Sequence, residues 1–268
     1  MTVRTSMLLV AFLSVAVATP AQQAPFQPQV GQPGKDVVWV PSPEGTVERM
    51  LDLAKVTPQD FVIDLGSGDG RNVIAAARRG ARGLGVEYNP DMVALSKRLA
   101  IEAGVADRAQ FVEGDMFVAD ISKANVMALF LLPSNLLRLR ETFLNLRPGS
   151  RIVSNTFTIQ DWEADETVVV DDCTQWCTVL LYIVPARVDG TWRIGSDILQ
   201  LKQEYQHFSG TLTSGGQSVP VTGRLLGSDI SFTAGTREFA GRVQGNDIEG
   251  TVRTDGRTSG WRASRQAS

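Results

Sequence analysis

The pattern of hydrophobic and polar positions divides this 268-residue chain into parts of different character. Across residues 37–198, short apolar runs alternate with stretches in which apolar residues recur every three to four positions, as in strands connected by amphipathic helices. We therefore predict an α/β fold: a Rossmann-like, seven-stranded, mostly parallel sheet with helices on both faces. The expected strands are 61–65, 83–87, 110–113, 126–132 and 151–157, with a closing hairpin over 179–188 and 191–194.

Signals for helix starts lie between the expected strands. Ser42 followed by Pro43 predicts an N-cap and a first helical position. Asn89-Pro90 predicts a second start, and further helices are expected over 70–79 and 134–146. These helices lie where a parallel sheet requires its crossover connections.

The pattern changes again after about residue 198. Residues 199–268 lose helical periodicity and are rich in Gly, Ser and Thr. Four similar segments carry a central glycine and are separated by turn signals: FSGTL from Phe208, VTGRL from Val221, FAGRV from Phe239 and IEGTV from Ile248. This pattern predicts a small antiparallel β module, a barrel or a sandwich, with a packing or docking role.

The amino-terminal residues have the composition of a targeting segment. Arg4 precedes an apolar run over 7–18, and small residues follow it, so residues 1–21 are interpreted as a signal peptide. An uncleaved membrane anchor, which would keep the protein near a membrane, is the alternative. Residues 22–36 are rich in Pro and Gln and predict a flexible linker. Either interpretation places the remainder outside the cytoplasm, exported to a periplasm or secreted.

Composition excludes some classes of partner. The net charge of −3 provides no general attraction for nucleic acid, so no nucleic-acid partner is expected. One histidine and two cysteines argue against a zinc site, and no metal is expected. Cys173 and Cys177 are compatible with a disulfide in an oxidising compartment or with two free thiols, and the sequence leaves both open.

A glycine-rich turn carries the candidate chemistry. The run from Asp64 to Gly70 reads D-x-G-x-G-x-G and follows an apolar strand. Glycines permit positive φ and close approach of a ligand to backbone N–H groups, and the following helix adds positive potential. The carboxylates of Asp64 and Asp69 would repel a pyrophosphate. They suit a ligand that carries an ammonium group, a ribose and a sulfonium.

Acids also end the next two strands. Glu87, followed by Tyr88, lies where Rossmann-like sheets place an acid against ribose hydroxyls, and a carboxylate accepts from two vicinal hydroxyls. The third strand runs into Glu113-Gly114-Asp115-Met116, where Asp115 is placed to accept from an adenine amino group and Met116 to cover the ring. Three acids at the ends of successive strands predict a nucleoside site.

These motifs resemble those of class I, seven-strand S-adenosylmethionine (SAM)-dependent methyltransferases. A closer similarity is to the mitochondrial protein-lysine methyltransferases that modify the adenine nucleotide translocase and the ATP synthase c subunit, and to their bacterial relatives. The resemblance covers roughly residues 37–163. The segments that carry it are VWVPSP, VIDLGSGDGR, GVEYNPDMV, FVEGDMF, LFLLPS, LRPGSRIVSNTF and DW.

The resemblance implies SAM as the cofactor and assigns residues to its site. The implied cofactor-binding residues are Asp64, Gly66, Ser67, Gly68, Asp69, Gly70, Glu87, Tyr88, Asp115 and Met116. Candidates for a catalytic role are Trp39, Ser42 and Trp162, and those for substrate binding are Pro41, Glu44, Leu132 and Pro133. The family's usual tyrosine is replaced by Trp39, which cannot accept a hydrogen bond, and no general base is identified.

The sequence therefore predicts a SAM-dependent methyltransferase whose acceptor is a lysine side chain of a protein. Two alternatives remain open. One is a small-molecule methyltransferase that acts on a thiol, a metalloid or a phenol. The other is an exported binding protein that has kept the fold and lost catalysis.

Overall fold

The computed structural model describes residues 26–266, which contain four helices and fifteen strands. They form an α/β sheet domain followed by a closed β-barrel. The signal peptide predicted at 1–21 lies outside the described residues, so it stays a prediction. No helix between residues 26 and 266 combines the length and apolar character needed to cross a bilayer.

The sheet domain has four helices and seven strands. The helices are α1 (Glu44–Leu53), α2 (Arg71–Arg78), α3 (Pro90–Glu102) and α4 (Pro133–Leu144). The strands are β1 (Phe61–Leu65), β2 (Arg82–Glu87), β3 (Ala109–Glu113), β4 (Val126–Leu129), β5 (Arg151–Asn155), β6 (Glu166–Val169) and β7 (Thr178–Ile183). The five predicted parallel strands are confirmed, although β4 and β5 end earlier than expected. The short edge strand β6 was not predicted.

Strand order in this sheet is β3-β2-β1-β4-β5-β7-β6, with β7 antiparallel to both of its neighbours. The predicted Rossmann-like architecture is thereby confirmed. Its central strands are buried on both faces, so consecutive side chains enter different cores. In β1, Val62 packs with α1 residues, whereas Ile63 packs with residues of α4. Helices on both faces therefore account for the unbroken apolar runs in the sequence.

The second domain is a barrel with strand order β10-β11-β12-β13-β14-β15-β8-β9. Its strands are β8 (Gly190–Ile194), β9 (Asp197–Glu204), β10 (His207–Ser214), β11 (Gln217–Leu226), β12 (Asp229–Ala234), β13 (Arg237–Gln244), β14 (Asp247–Thr254) and β15 (Arg257–Arg265). The hairpin predicted over 179–188 and 191–194 is wrong, because β7 joins the sheet and β8 closes the barrel against β15. The barrel therefore begins near residue 190, before the predicted boundary at 198.

The glycine repeat has a packing explanation. Gly241 and Gly250 lie opposite each other across β13 and β14. A Cβ on Gly250 would lie 1.9 Å from a backbone oxygen, and a Cβ on Gly223 would lie 2.3 Å from the Phe208 ring. Close strand and ring approach therefore requires glycine at these positions. The glycines of the repeat are therefore required by packing within the barrel, and the packing or docking role of the whole module stays a prediction.

Aromatic and ionic contacts join the two domains. Trp162 of the sheet domain stacks on Tyr205 of the barrel at a centroid distance of 5.9 Å, and it also packs edge-on against Tyr182. Arg224 of the barrel donates to Asp165 over 2.7 Å. Trp162 is only 2% exposed. Its side chain therefore belongs to the interdomain core.

Candidate functional site

A cavity lies at the carboxyl edge of the parallel strands. Because these strands run in the same direction, the loops after β1, β2 and β3 meet there. The cavity brings together six residues that the sequence singled out: Trp39, Gly66, Glu87, Tyr88, Asp115 and Met116. The acids predicted at the ends of β2 and β3 therefore face one cavity.

The glycine-rich turn has the backbone conformation that its sequence predicts. Gly66, Gly68 and Gly70 all have positive φ, between 56° and 82°. Side chains would be strained in this region, so the turn requires glycine. The three glycine N–H groups donate within the chain, to Val86 O, to Glu87 Oε2 and to Ser67 O in that order. Helix α2 begins directly after the turn, so its N-terminus points positive potential at the same place. The Ser67 Oγ is buried and has no hydrogen-bond partner among the described residues.

Glu87 connects the turn to the end of β2. Its Oε2 accepts from the N–H of Gly68 over 2.9 Å, and its Oε1 accepts from the N–H of Asn89 over 2.9 Å. Both oxygens are held by backbone donors, so the carboxylate has a fixed orientation beside the cavity. Each oxygen still has lone pairs available for a second donor.

The first acid of the motif is placed differently. Asp64 is 3% exposed, accepts from Asn72 Nδ2 over 3.0 Å and does not line the cavity. Burial raises the pKa of Asp64 well above its usual value, and Glu87 and Asp69 raise it further, whereas the Asn72 hydrogen bond lowers it. Asp69 forms an ion pair with Arg71 at 2.6 Å. Neither acid lines the cavity. A direct contact between either acid and the cofactor stays a prediction.

Asp115 already has a cationic partner. Its Oδ2 accepts from Lys35 Nζ over 2.6 Å, and its Oδ1 accepts from the N–H of Phe117. The hydrogen bond from Lys35 is the main reason why the pKa of Asp115 lies below its usual value. The Lys35 ammonium also lies 4.7 Å from the centroid of the Tyr88 ring. The carboxylate therefore stays ionised, in the form that accepts hydrogen bonds from an adenine amino group.

The segment that carries Lys35 corrects the linker prediction. The N–H of Gly31 donates to Trp39 O, the N–H of Trp39 donates to Gln32 O, and Pro33 bridges to Val38. Residues 31–39 thus fold as a hairpin that forms one wall of the cavity, rather than as a free tether. Trp39 packs on the glycine turn, because a Cβ on Gly68 would lie 2.7 Å from its Nε1.

Ser42 has a different local role from the one predicted. Pro43 is the N-cap of α1, so Ser42 precedes the cap. Its buried Oγ accepts from Asn155 Nδ2 over 3.1 Å, and its carbonyl accepts from Arg71. Ser42 therefore ties the residues before α1 to the end of β5.

The other predicted residues are dispersed. Glu44 lines a separate groove with Asp69 and Arg71 rather than the cavity. Leu132 and Pro133 begin α4, and Leu132 is 37% exposed. Pro41 and Trp162 do not line the cavity either. A substrate or catalytic role for these five residues stays a prediction.

Sequence reasoning missed a group of aromatic side chains. Phe130, Phe157 and Trp176 contact one another, with ring centroids 5.4–6.0 Å apart, and Phe130 also lines the cavity. The signal was available, since Phe130 directly follows β4 and Phe157 follows β5 by two residues. Cys173 and Cys177 form a disulfide around Trp176, so the open question about these cysteines is settled in favour of a bridge.

Comparisons with known proteins agree with this geometry. The family model described as the ANTKMT methyltransferase domain matches residues 64–166. A protein-lysine N-methyltransferase of Saccharolobus islandicus (strain REY15A) is 40% identical over 151 residues, which are 55% of this chain and 94% of that protein. The lysine N-methyltransferase of the ATP synthase c-subunit from Mus musculus is 31% identical over 139 residues, which are 52% of this chain and 56% of the mouse protein.

A solved structure shares the fold. The crystal structure of an RNA methyltransferase from Salinibacter ruber, in complex with S-adenosyl-L-homocysteine (SAH), has a TM-score of 0.53 and 46% sequence identity. The similarity covers 56% of this chain and 96% of that one. The resemblance inferred from the sequence motifs is therefore confirmed for the sheet domain.

Proposed function

This chain belongs to the ANTKMT family of SAM-dependent methyltransferases, and from that premise we propose that it methylates lysine side chains of proteins. One observation carries the proposal: the 40% identity to an archaeal protein-lysine N-methyltransferase, which extends over 94% of that protein. RNA is the acceptor class against which the proposal is tested, because the solved structure from Salinibacter ruber is described as an RNA methyltransferase.

The residues around the cavity fit SAM. Gly66 lines the cavity without a side chain to fill it, and the Glu87 carboxylate lies beside it with lone pairs available. Glu87 and Asp115 both line the cavity, and the proposal assigns Glu87 to the ribose hydroxyls and Asp115 to the adenine amino group. When bound, SAM supplies an electrophilic methyl group on a sulfonium.

Alignment is the main task that remains for the chain. Holding two reactants in line contributes about 7–11 kcal/mol of barrier reduction. A lysine acceptor must be neutral before it attacks, and desolvation favours the neutral amine. The hairpin over 31–39 and Phe130 line the cavity, and Phe157 and Trp176 extend an aromatic surface from Phe130 against which an amine can be desolvated. This arrangement is compatible with methyl transfer to an amine without a dedicated base.

The acceptor class is tested with SAM that carries a tritiated methyl group. We expect label in poly-L-lysine and none in Nε-acetylated poly-L-lysine, because acetylation removes the nucleophilic amine. Total RNA and a mixture of small thiols and phenols are the parallel acceptors. Label in RNA or in the small molecules, with none in poly-L-lysine, would overturn the proposal. SAH binding without labelling of any acceptor would support the non-catalytic alternative.

We also propose that the protein is exported, and that the apolar run at residues 7–18 directs it to or anchors it at a membrane. The bond between Cys173 and Cys177 supports this, because disulfides persist in oxidising compartments. The proposal requires SAM to reach the same compartment. Cell fractionation with thiols blocked before lysis provides the test. Recovery in the cytoplasm with both thiols reduced would contradict export.

A further inference from the structure

Three aromatic residues converge from different parts of the chain on one side of the cofactor cavity. Phe130 follows β4, Phe157 follows β5, and Trp176 precedes β7. Since β7 is antiparallel to β5, its beginning lies at the same edge as the carboxyl ends of β4 and β5. The topology therefore places all three residues at the edge of the sheet that carries the glycine-rich turn, although up to 46 positions separate them in sequence.

The three rings form a continuous surface, named here the aromatic wall (Phe130, Phe157 and Trp176). Phe130 and Phe157 are stacked with an interplanar angle of 13°, and Trp176 is tilted against both. Each ring is half-buried, so part of its surface stays open to solvent. Because Phe130 also lines the cofactor cavity, the aromatic wall extends from the cofactor site to the protein surface.

The disulfide loop holds the third ring in place. Cys173 and Cys177 enclose Trp176, which has a left-handed backbone with φ of 58°. The Thr46 hydroxyl of α1 donates to the Trp176 carbonyl over 3.2 Å. A non-glycine residue in this conformation is held by its surroundings, because it costs about 1–2 kcal/mol relative to the right-handed region. The disulfide and Thr46 supply that constraint here.

The rim of the wall is acidic. Asp171 and Asp172 are exposed and immediately precede the disulfide loop. Among the described residues, neither has a basic side chain within ion-pair distance. Unneutralised carboxylates attract a cationic side chain and repel an anionic one.

We propose that the aromatic wall is the binding surface for the acceptor side chain, a primary alkylammonium such as that of lysine, and that the Cys173–Cys177 disulfide positions Trp176 within it. The inference rests on the proposed function, because it names the site through which the lysine reaches the cofactor. The acidic rim collects the cation, and the rings contact its methylene chain and ammonium group. The ammonium gives one proton to water, and desolvation against the rings favours the resulting neutral amine. The amine nitrogen then bonds to the methyl carbon while the carbon–sulfur bond breaks, and SAH leaves.

The first test separates acceptor binding from cofactor binding. With poly-L-lysine as acceptor, Trp176→Leu should raise KM about tenfold and change kcat less, because a cation–π contact and apolar area are lost. Trp176→Phe keeps a ring and should stay within about threefold of the wild type. The Kd of SAH should be unchanged in both variants. An unchanged KM in Trp176→Leu, with the fold verified by circular dichroism, would overturn the inference.

The disulfide is tested by reduction. Dithiothreitol converts the bridge to two thiols and is itself oxidised, and it should raise the KM of the wild type as Trp176→Leu does. The Cys173→Ser/Cys177→Ser double variant should show the raised KM without reductant and no further change with it. A wild-type KM that is insensitive to complete reduction would remove the positioning role of the disulfide.

A binding measurement distinguishes failure of this inference from failure of the proposed function. In SAH-saturated, nitrogen-15-labelled protein, n-butylammonium should shift the Trp176 indole N–H resonance, assigned by its loss in Trp176→Phe, and n-butanol should shift it less. A shift without any methyl transfer to poly-L-lysine would refute the lysine methyltransferase proposal and retain the amine site. Methyl transfer to poly-L-lysine without a shift of this resonance would refute the amine site at the aromatic wall and retain the lysine methyltransferase proposal.

Discussion

Replacing Glu87 with alanine is expected to weaken SAH binding about a hundredfold. Hydrogen bonds to charged groups contribute about 1.5–3 kcal/mol each, and a factor of one hundred corresponds to about 2.7 kcal/mol. The variant loses the predicted bonds to the ribose hydroxyls. It also frees the N–H groups of Gly68 and Asn89, which the carboxylate now holds. Isothermal titration calorimetry with SAH measures the effect.

Glu113→Ala is the matched control for this measurement. Glu113 lies directly opposite Glu87 in the register of β2 and β3, and its side chain is exposed. It carries the same charge at the same edge of the sheet, so the control removes any general electrostatic effect. Its affinity should stay within about threefold of the wild type. Equal losses in both variants would refute the specific role of Glu87.

Replacing Gly70 with alanine is expected to lower the free energy of unfolding by about 2–5 kcal/mol. The residue has φ of 82°, where an L-residue costs about 1–2 kcal/mol. Its Cβ would also lie 2.5 Å from the ring of Phe111, which is buried and 3% exposed. Overpacking of this kind costs about 1–3 kcal/mol more. Chemical denaturation monitored by circular dichroism measures the loss.

Gly104→Ala separates the two contributions. Gly104 has φ of 70°, but a Cβ there would meet nothing within 4 Å. This variant therefore carries the backbone strain without the crowding, and a loss of about 1–2 kcal/mol is expected. If the Gly70 variant lost no more than the Gly104 variant, contact with Phe111 would not explain why glycine is required in the turn.

Local patterns determined much of the sheet domain. The strands at 61–65 and 83–87 could be read from the sequence because buried parallel strands appear as apolar runs between helical periods. The D-x-G-x-G-x-G turn was recognisable because positive φ demands glycine at fixed positions. The placement of Glu87 and Asp115 at one cavity followed from the common direction of parallel strands. Each of these inferences depends on residue types and spacings within a short segment of the sequence.

Other features depended on which segments meet in space. The sequence predicted a hairpin between β7 and β8. In the structure β8 pairs with β15 instead, and this pairing closes the barrel. The flexible linker predicted for residues 22–36 is wrong over its later part. There Lys35 donates a hydrogen bond to Asp115, which is 80 positions away in the sequence.

The same limit applies to the site residues. Asp64 and Trp162 were chosen by motif, yet one is buried behind the turn and the other lies in the interdomain core. Phe130, Phe157 and Trp176 carried no shared motif, and only the sheet order brought them together. The sequence by itself determined the cofactor turn, the strands around it and the acids at their ends, because local conformational preferences encode them. Only the tertiary structure decided the aromatic wall beside the cofactor cavity and the closure of the barrel. Both depend on contacts between residues that are distant in sequence, and no local pattern predicts such contacts.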